Sequence, residues 1–211
     1  MSLEAWLAFA AASAVMLAIP GPTILLVVSY ALGHGRKTAL ATVTGVTLGD
    51  FTAMTASLLG LGALLASSAE IFTALRWIGG IYLIWLGIRL WRAPLLNARV
   101  ADNDNLPQEK SVRIFLHAYI VTALNPKSII FFVAFVPQFL SPINPLAPQM
   151  VVMEATFLLL AALNATVYAI MANRARKLIK RASVQRAVNR TGGTLLIAAG
   201  AVTAGYRRIA A

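Results

Sequence analysis

Pro20-Gly21-Pro22 sits in the middle of an apolar run that extends from Leu3 to about Leu32. A second interruption, Asn125-Pro126-Lys127, sits inside another such run, from about Val112 to Leu140. Runs of this length can cross a bilayer, which takes roughly 20 apolar residues. Proline in a helix removes its own N–H donor and drives its ring against the carbonyl four residues back. In hydrocarbon every backbone group freed this way needs a partner, so such a break persists only where protein or a water-lined cavity supplies one. Two broken helices at corresponding places in the two halves of a chain point to the central site of a transporter.

Composition assigns the class. Of the 211 residues, 59% are apolar and only 12% charged, with mean hydropathy +0.77. A soluble domain carries about 25% charged residues. The chain therefore reads as an all-α, polytopic membrane protein, with residues 1–211 forming a single transmembrane transporter domain. Six spans are expected, at about 4–32, 39–66, 70–91, 113–140, 148–172 and 191–208, the first and fourth broken. A polar loop covers about 92–112. The N-terminal Met1-Ser2-Leu3-Glu4 lacks a basic n-region, so the first span is expected to be retained. With no cysteine and only His34 and His117, no metal site or other cofactor is expected. A Gly-x-Ser-x-Gly elbow is also missing, and the chain does not read as an enzyme.

The net charge of +11 would suggest nucleic acid in a soluble protein. Here the basic residues flank apolar spans and report orientation instead. Fourteen of the eighteen fall in the loops after spans one, three and five, and three (Arg76, Arg207 and Arg208) on the opposite side. The positive-inside rule puts the odd loops in the cytoplasm and both termini outside. The basic stretch Asn173–Arg190 is expected to lie as an amphipathic helix on anionic headgroups.

The halves also match each other. Pro22 and Pro126 are 104 residues apart, as are Asp50 and Glu154, the two acids well inside spans two and five. Gly79-Gly80 with Gly87 matches Gly192-Gly193 with Gly200 at an offset of 113. Halves of about 4–91 and 113–208, each with three spans, must have opposite orientation, which is an inverted 3+3 repeat.

Several strings carry a family resemblance: Pro20-Gly21-Pro22; Gly35-Arg36-Lys37; Gly45 and Gly49; Gly80, Tyr82-Leu83 and Trp85-Leu86-Gly87; Asn125-Pro126-Lys127; Phe131-Phe132; and Pro137-Gln138-Phe139. Together they make the chain resemble the lysine-exporter (LysE/RhtB) family of amino-acid efflux proteins over essentially its whole length. The resemblance implies a bacterial inner-membrane exporter of amino acids or their derivatives, driven by the proton gradient. It leaves the substrate open among the lysine, homoserine, threonine and leucine classes. A divalent-cation exporter and a non-transporting scaffold are the competing readings.

The residues themselves suggest how a zwitterion could be held. Pro20 and Pro22 free the carbonyls of Met16 and Ala18, and Pro126 that of Thr122; these are acceptors for an α-ammonium. A helix restarting after the break offers N–H groups and a positive dipole end to an α-carboxylate. Asp50 lies about eleven residues into span two, about 16 Å deep. An ionised carboxylate there costs about 2.5–3.5 kcal/mol on insertion scales, so it is paired, hydrated or protonated. Asp50 and Glu154 are accordingly the candidates for proton coupling. Asn164 and Tyr168 share a polar stripe with Glu154 on span five. Lys127, the intramembrane cation, has three open roles: binding a substrate carboxylate, balancing Asp50, or tethering free carbonyls at the break. Expected substrate contacts are thus Pro20, Gly21, Pro22, Asn125, Pro126, Lys127, Asn164 and Tyr168. Gly45, Gly49, Ala53, Ala56 and Gly60 form a small-residue face suited to helix packing. Such faces allow a homodimer without requiring one.

Overall fold

A computed structural model of the chain describes residues 1–67, 69–92, 110–141, 143–172, 174 and 181–205. Every regular element among them is helical. Helix α1 (Leu3–Ala18) is capped by the Ser2 hydroxyl, which accepts from the Ala5 N–H. It ends two residues before Pro20. Helix α2 (Pro22–Gly33) begins at the second proline, whose missing N–H costs nothing at a first helical position. The chain bends by 53° between them. Helices α5 (Ser111–Ala123) and α6 (Pro126–Phe135) repeat this arrangement, with Pro126 opening α6 and a bend of 42°. A 3₁₀ turn, Val136–Phe139, extends α6.

The remaining helices are α3 (Ala39–Ser67), α4 (Ala69–Trp91), α7 (Leu146–Ile170) and α8 (Ala182–Gly205). By length and composition α7 can cross a membrane, and so can each bent pair taken as one span. Helix α8 starts nine residues before the expected span 191–208. Arg186 and Arg190 are thus its first turns, not part of a separate surface helix. The physical reason is that helix formation needs backbone hydrogen bonds and tolerates a polar start, whereas a hydropathy reading stops where polarity begins. Most of the 92–112 loop, much of the 173–181 stretch and Arg207-Arg208 lie outside the described residues.

Two glycine seams set the helix pairing. On α3, a Cβ at Gly45 would lie 2.6 Å from the Phe115 carbonyl oxygen, and one at Gly49 would lie 2.8 Å from the Tyr119 carbonyl oxygen. Only hydrogen at these positions lets α3 lie against α5, which is the small-xxx-small crossing of membrane helices. Gly60 meets nothing within 4 Å, so the expected small-residue face packs only along its N-terminal half. The second seam joins α4 to α8. A Cβ at Gly87 would meet the Gly193 carbonyl and the Ile197 side chain at 2.6 and 2.7 Å. One at Gly200 would meet the Gly80 carbonyl and the Ile84 side chain at 2.5 and 2.6 Å. Exchanging Gly80 with Gly193, Ile84 with Ile197 and Gly87 with Gly200 turns each contact into the other.

The core between α1, α3, α6 and α7 is aromatic and sulfur-rich. Phe9, Met54, Phe132, Met153 and Phe157 are fully buried in one cluster. The Phe132 and Phe157 rings meet edge to face at 4.8 Å, a favoured aromatic geometry. This cluster fixes α6 against α7 and so holds the second break beside the first.

Candidate functional site

The two breaks face each other, and each is completed from elsewhere in the fold. A helix ends with four carbonyls that have no intrahelical partner. At the end of α1 four successive carbonyls are met by side chains from distant helices. The Lys127 ammonium on α6 donates to the Met16 and Ile19 carbonyls, both at 2.7 Å. The Asn164 amide on α7 donates to Leu17 at 3.1 Å, and the Tyr168 hydroxyl to Ala18 at 3.0 Å. The carbonyls freed by Pro20 and Pro22 therefore do not wait for a substrate ammonium as the sequence reading expected. They are already hydrogen-bonded, because the fold brings Lys127 to the Met16 carbonyl and Tyr168 to that of Ala18. On the other break, the Thr122 carbonyl accepts from the Asn125 N–H at 3.0 Å.

The two restarted helices are finished differently. The Asn125 side chain caps α6 by accepting from the Lys127 N–H at 3.1 Å. Its amide donates to the Thr23 hydroxyl at 3.1 Å, and the Thr122 hydroxyl donates to the same oxygen at 3.3 Å. Gly21, at the corresponding place before α2, has no side chain and gives no cap. Among the described residues, no side chain therefore caps the first N–H groups of α2, those of Thr23 and Ile24, at the positive end of the helix dipole.

That end of α2 faces a small cavity of about 30 Å³, lined by Gly21, Thr23, Asp50, Asn125, Lys127 and Asn164 among others. A space of that size holds about one to a few waters. Asp50 enters from α3 and is 2% exposed. Ser128 and Lys127 lie close enough to act on its carboxylate electrostatically, yet among the described residues its buried Oδ1 has no hydrogen-bond partner. An acceptor left bare in this way is costly, by about 1–3 kcal/mol and more for a charged group. The cavity thus presents an unsatisfied carboxylate oxygen and an uncapped helix N-terminus together.

Of the expected site residues, Gly21, Asp50, Asn125, Lys127 and Asn164 line this cavity. Pro20, Pro22 and Pro126 shape the breaks around it, and Tyr168 braces the α1 end. Glu154 stands apart: its carboxylate accepts from Thr55 at 2.6 Å and does not line the cavity. Thr23 and Ser128 also line the cavity, and no sequence motif singles them out. Their signal was position, since both are hydroxyl residues in the first turn after a helix-opening proline. A larger groove of about 580 Å³ lies between α3 and α5, lined by Thr52, Ala56, Tyr119 and Leu124 among others. It is open, and no lining residue is charged, so volume alone is a poor guide to the site here. His117 hydrogen-bonds Tyr30 at 2.8 Å away from the cavity lining, a partner not recognisable in sequence.

The comparisons with known proteins agree on the kind of molecule. The LysE type translocator family model matches residues 14–206. A homoserine/homoserine lactone efflux protein of Salmonella typhimurium is 34% identical over 98% of this chain and 99% of its own length. An uncharacterized membrane protein of Vibrio cholerae is 31% identical over 97% and 98%. A leucine efflux protein of Enterobacter sp. is 32% identical over 58% of this chain and 57% of its own. No solved structure matches the chain. With a family model and full-length relatives in agreement, the chain belongs to the LysE type translocators, a family of amino-acid efflux transporters.

Proposed function

We propose that this protein is a secondary active exporter of a small amino acid or derivative, working by proton antiport and alternating access in the bacterial inner membrane. The substrate class is that of homoserine, threonine, lysine or leucine. The observation that carries the reading is the meeting of Asp50 and the α2 N-terminus in one buried cavity between the two breaks. An α-carboxylate takes the open N–H groups of α2, and the α-ammonium takes Asp50 Oδ1. Asn125, held on Thr23, borders the same space. Because the cavity is far smaller than an amino acid, loading requires the two broken pairs to move apart, first toward one side of the membrane and then toward the other.

Asp50 couples the cycle. With a zwitterion bound it is a carboxylate; on the return it carries a proton, since a bare charge at this depth is costly. Glu154 is the repeat-related acid, placed on Thr55, and is a second proton stop. The six spans are α1–α2, α3, α4, α5–α6, α7 and α8. The exchangeable glycine contacts of α4 with α8 support a pseudo-twofold axis in the membrane plane, as an inverted repeat requires. With the basic loops in the cytoplasm, both termini are periplasmic.

The test is reconstitution of wild type and Asp50→Asn. Wild type exports a neutral amino acid in exchange for protons. The folded variant has no proton-coupled efflux. Normal coupled efflux by Asp50→Asn removes Asp50 from the mechanism.

A further inference from the structure

Lys127 and Asp50 are the two charged groups among the residues lining the central cavity. Their charges cancel. A net-neutral zwitterion leaves that balance intact, whereas a substrate of net charge +1 adds an uncompensated charge to a site with little water to screen it. The Lys127 ammonium is itself placed like a guest. It rests on two backbone carbonyls at the negative end of α1, with Asp50 close enough to attract it. Two carbonyls at a helix C-terminus plus a carboxylate form the kind of acceptor set that receives a primary ammonium.

We propose that Lys127 is a specificity-determining positioning residue, a built-in ammonium that fills the cation subsite and narrows the substrate classes named above to those of zero net charge, which excludes lysine. This rests on reading the cavity as the transport site. Asn164 and Tyr168 complete the arrangement by holding the intervening Leu17 and Ala18 carbonyls, so that each of the four carbonyls at the α1 end already has a protein donor that a second substrate charge would have to share or displace. Removing the Lys127 charge vacates the Met16 and Ile19 carbonyls beside Asp50. The site then has net charge −1 and an open ammonium position, which suits a cationic amino acid.

The experiment compares L-homoserine with L-lysine as probes in vesicles holding wild type, Lys127→Met or the double variant Asp50→Asn/Lys127→Met. Wild type prefers homoserine. Lys127→Met shifts the preference toward lysine by about 10- to 100-fold, the scale of one charge-assisted hydrogen bond. A Lys127→Met protein that stays monodisperse, loses homoserine and gains no lysine overturns the proposal, because Lys127 would then be contacting the substrate carboxylate. Thermal unfolding of the same variants needs no transport. Lys127→Met lowers the midpoint by leaving Asp50 unbalanced, and adding Asp50→Asn recovers part of the loss. Losses that simply add overturn the charge balance. A wild type that moves neither probe sinks the transport reading instead, and the unfolding cycle still decides the role of Lys127.

Discussion

Replacing Gly49 by alanine should be costly twice, once to the fold and once to the site. The added Cβ would lie 2.8 Å from the Thr122 Cβ, 2.8 Å from the Tyr119 carbonyl oxygen and 3.0 Å from the Ala123 nitrogen. Ordinary contact begins at 3.4 Å, so α3 and α5 must part by about 0.6 Å. None of the three obstacles is the free end of a flexible side chain, so the helices themselves must move. Overpacking of this kind costs about 1–3 kcal/mol. The strain also reaches the cavity, because Asp50 is the next residue on α3 and Thr122 donates to Thr23. Gly60→Ala is the matched control. It lies on the same helix with nothing within 4 Å, and replacing a helical glycine there should be neutral or stabilising by about 0.5–1 kcal/mol. Denaturant titration in detergent, with equilibrium binding of homoserine on the same samples, reads both effects. Gly49→Ala as stable as wild type with unchanged binding would refute the close crossing as the device that sets Asp50.

Further outcomes follow from the same geometry. Pro22→Ala restores an N–H to the first position of α2 and favours a continuous helix, so turnover should fall; unchanged kinetics would make the break a structural kink. Gly200→Ala should loosen α4 from α8 about as much as Gly87→Ala does, since the two contacts exchange with one another; a large loss from one and none from the other would contradict the pseudo-symmetry. Reporters fused at residue 103 and after Ala211 should lie on opposite sides of the membrane, and equal sidedness would mean an even number of spans between them instead of three.

How much of this was legible in the sequence depends on the range of each interaction. The breaks were legible because proline acts on its own helix: Pro22 and Pro126 open α2 and α6 where their missing N–H groups do no harm. The freed carbonyls of Met16 and Ala18 were legible for the same reason. Their partners were not, because Lys127 and Tyr168 arrive from more than a hundred residues away, and no local pattern encodes that meeting. Of the three roles open to Lys127 in the sequence, the fold gives its ammonium two carbonyl partners and leaves Asp50 close by. Asp50 and Glu154 look alike at repeat-related positions, yet one borders a cavity with a bare oxygen and the other accepts a hydrogen bond from Thr55. The difference between Gly21 and Asn125, an open helix start against a capped one, was visible as two letters. It acquired meaning only when both starts were seen to face the same space.

Proton-coupled export is tested most directly by loading vesicles with labelled homoserine and following its loss with and without a pH gradient. Acid outside should accelerate efflux, and a protonophore should abolish the acceleration. Asp50→Asn should leave only the gradient-independent leak. Efflux by wild type that ignores the gradient, with Asp50→Asn indistinguishable from it, would contradict a carboxylate that exchanges a proton for a zwitterion at the paired breaks.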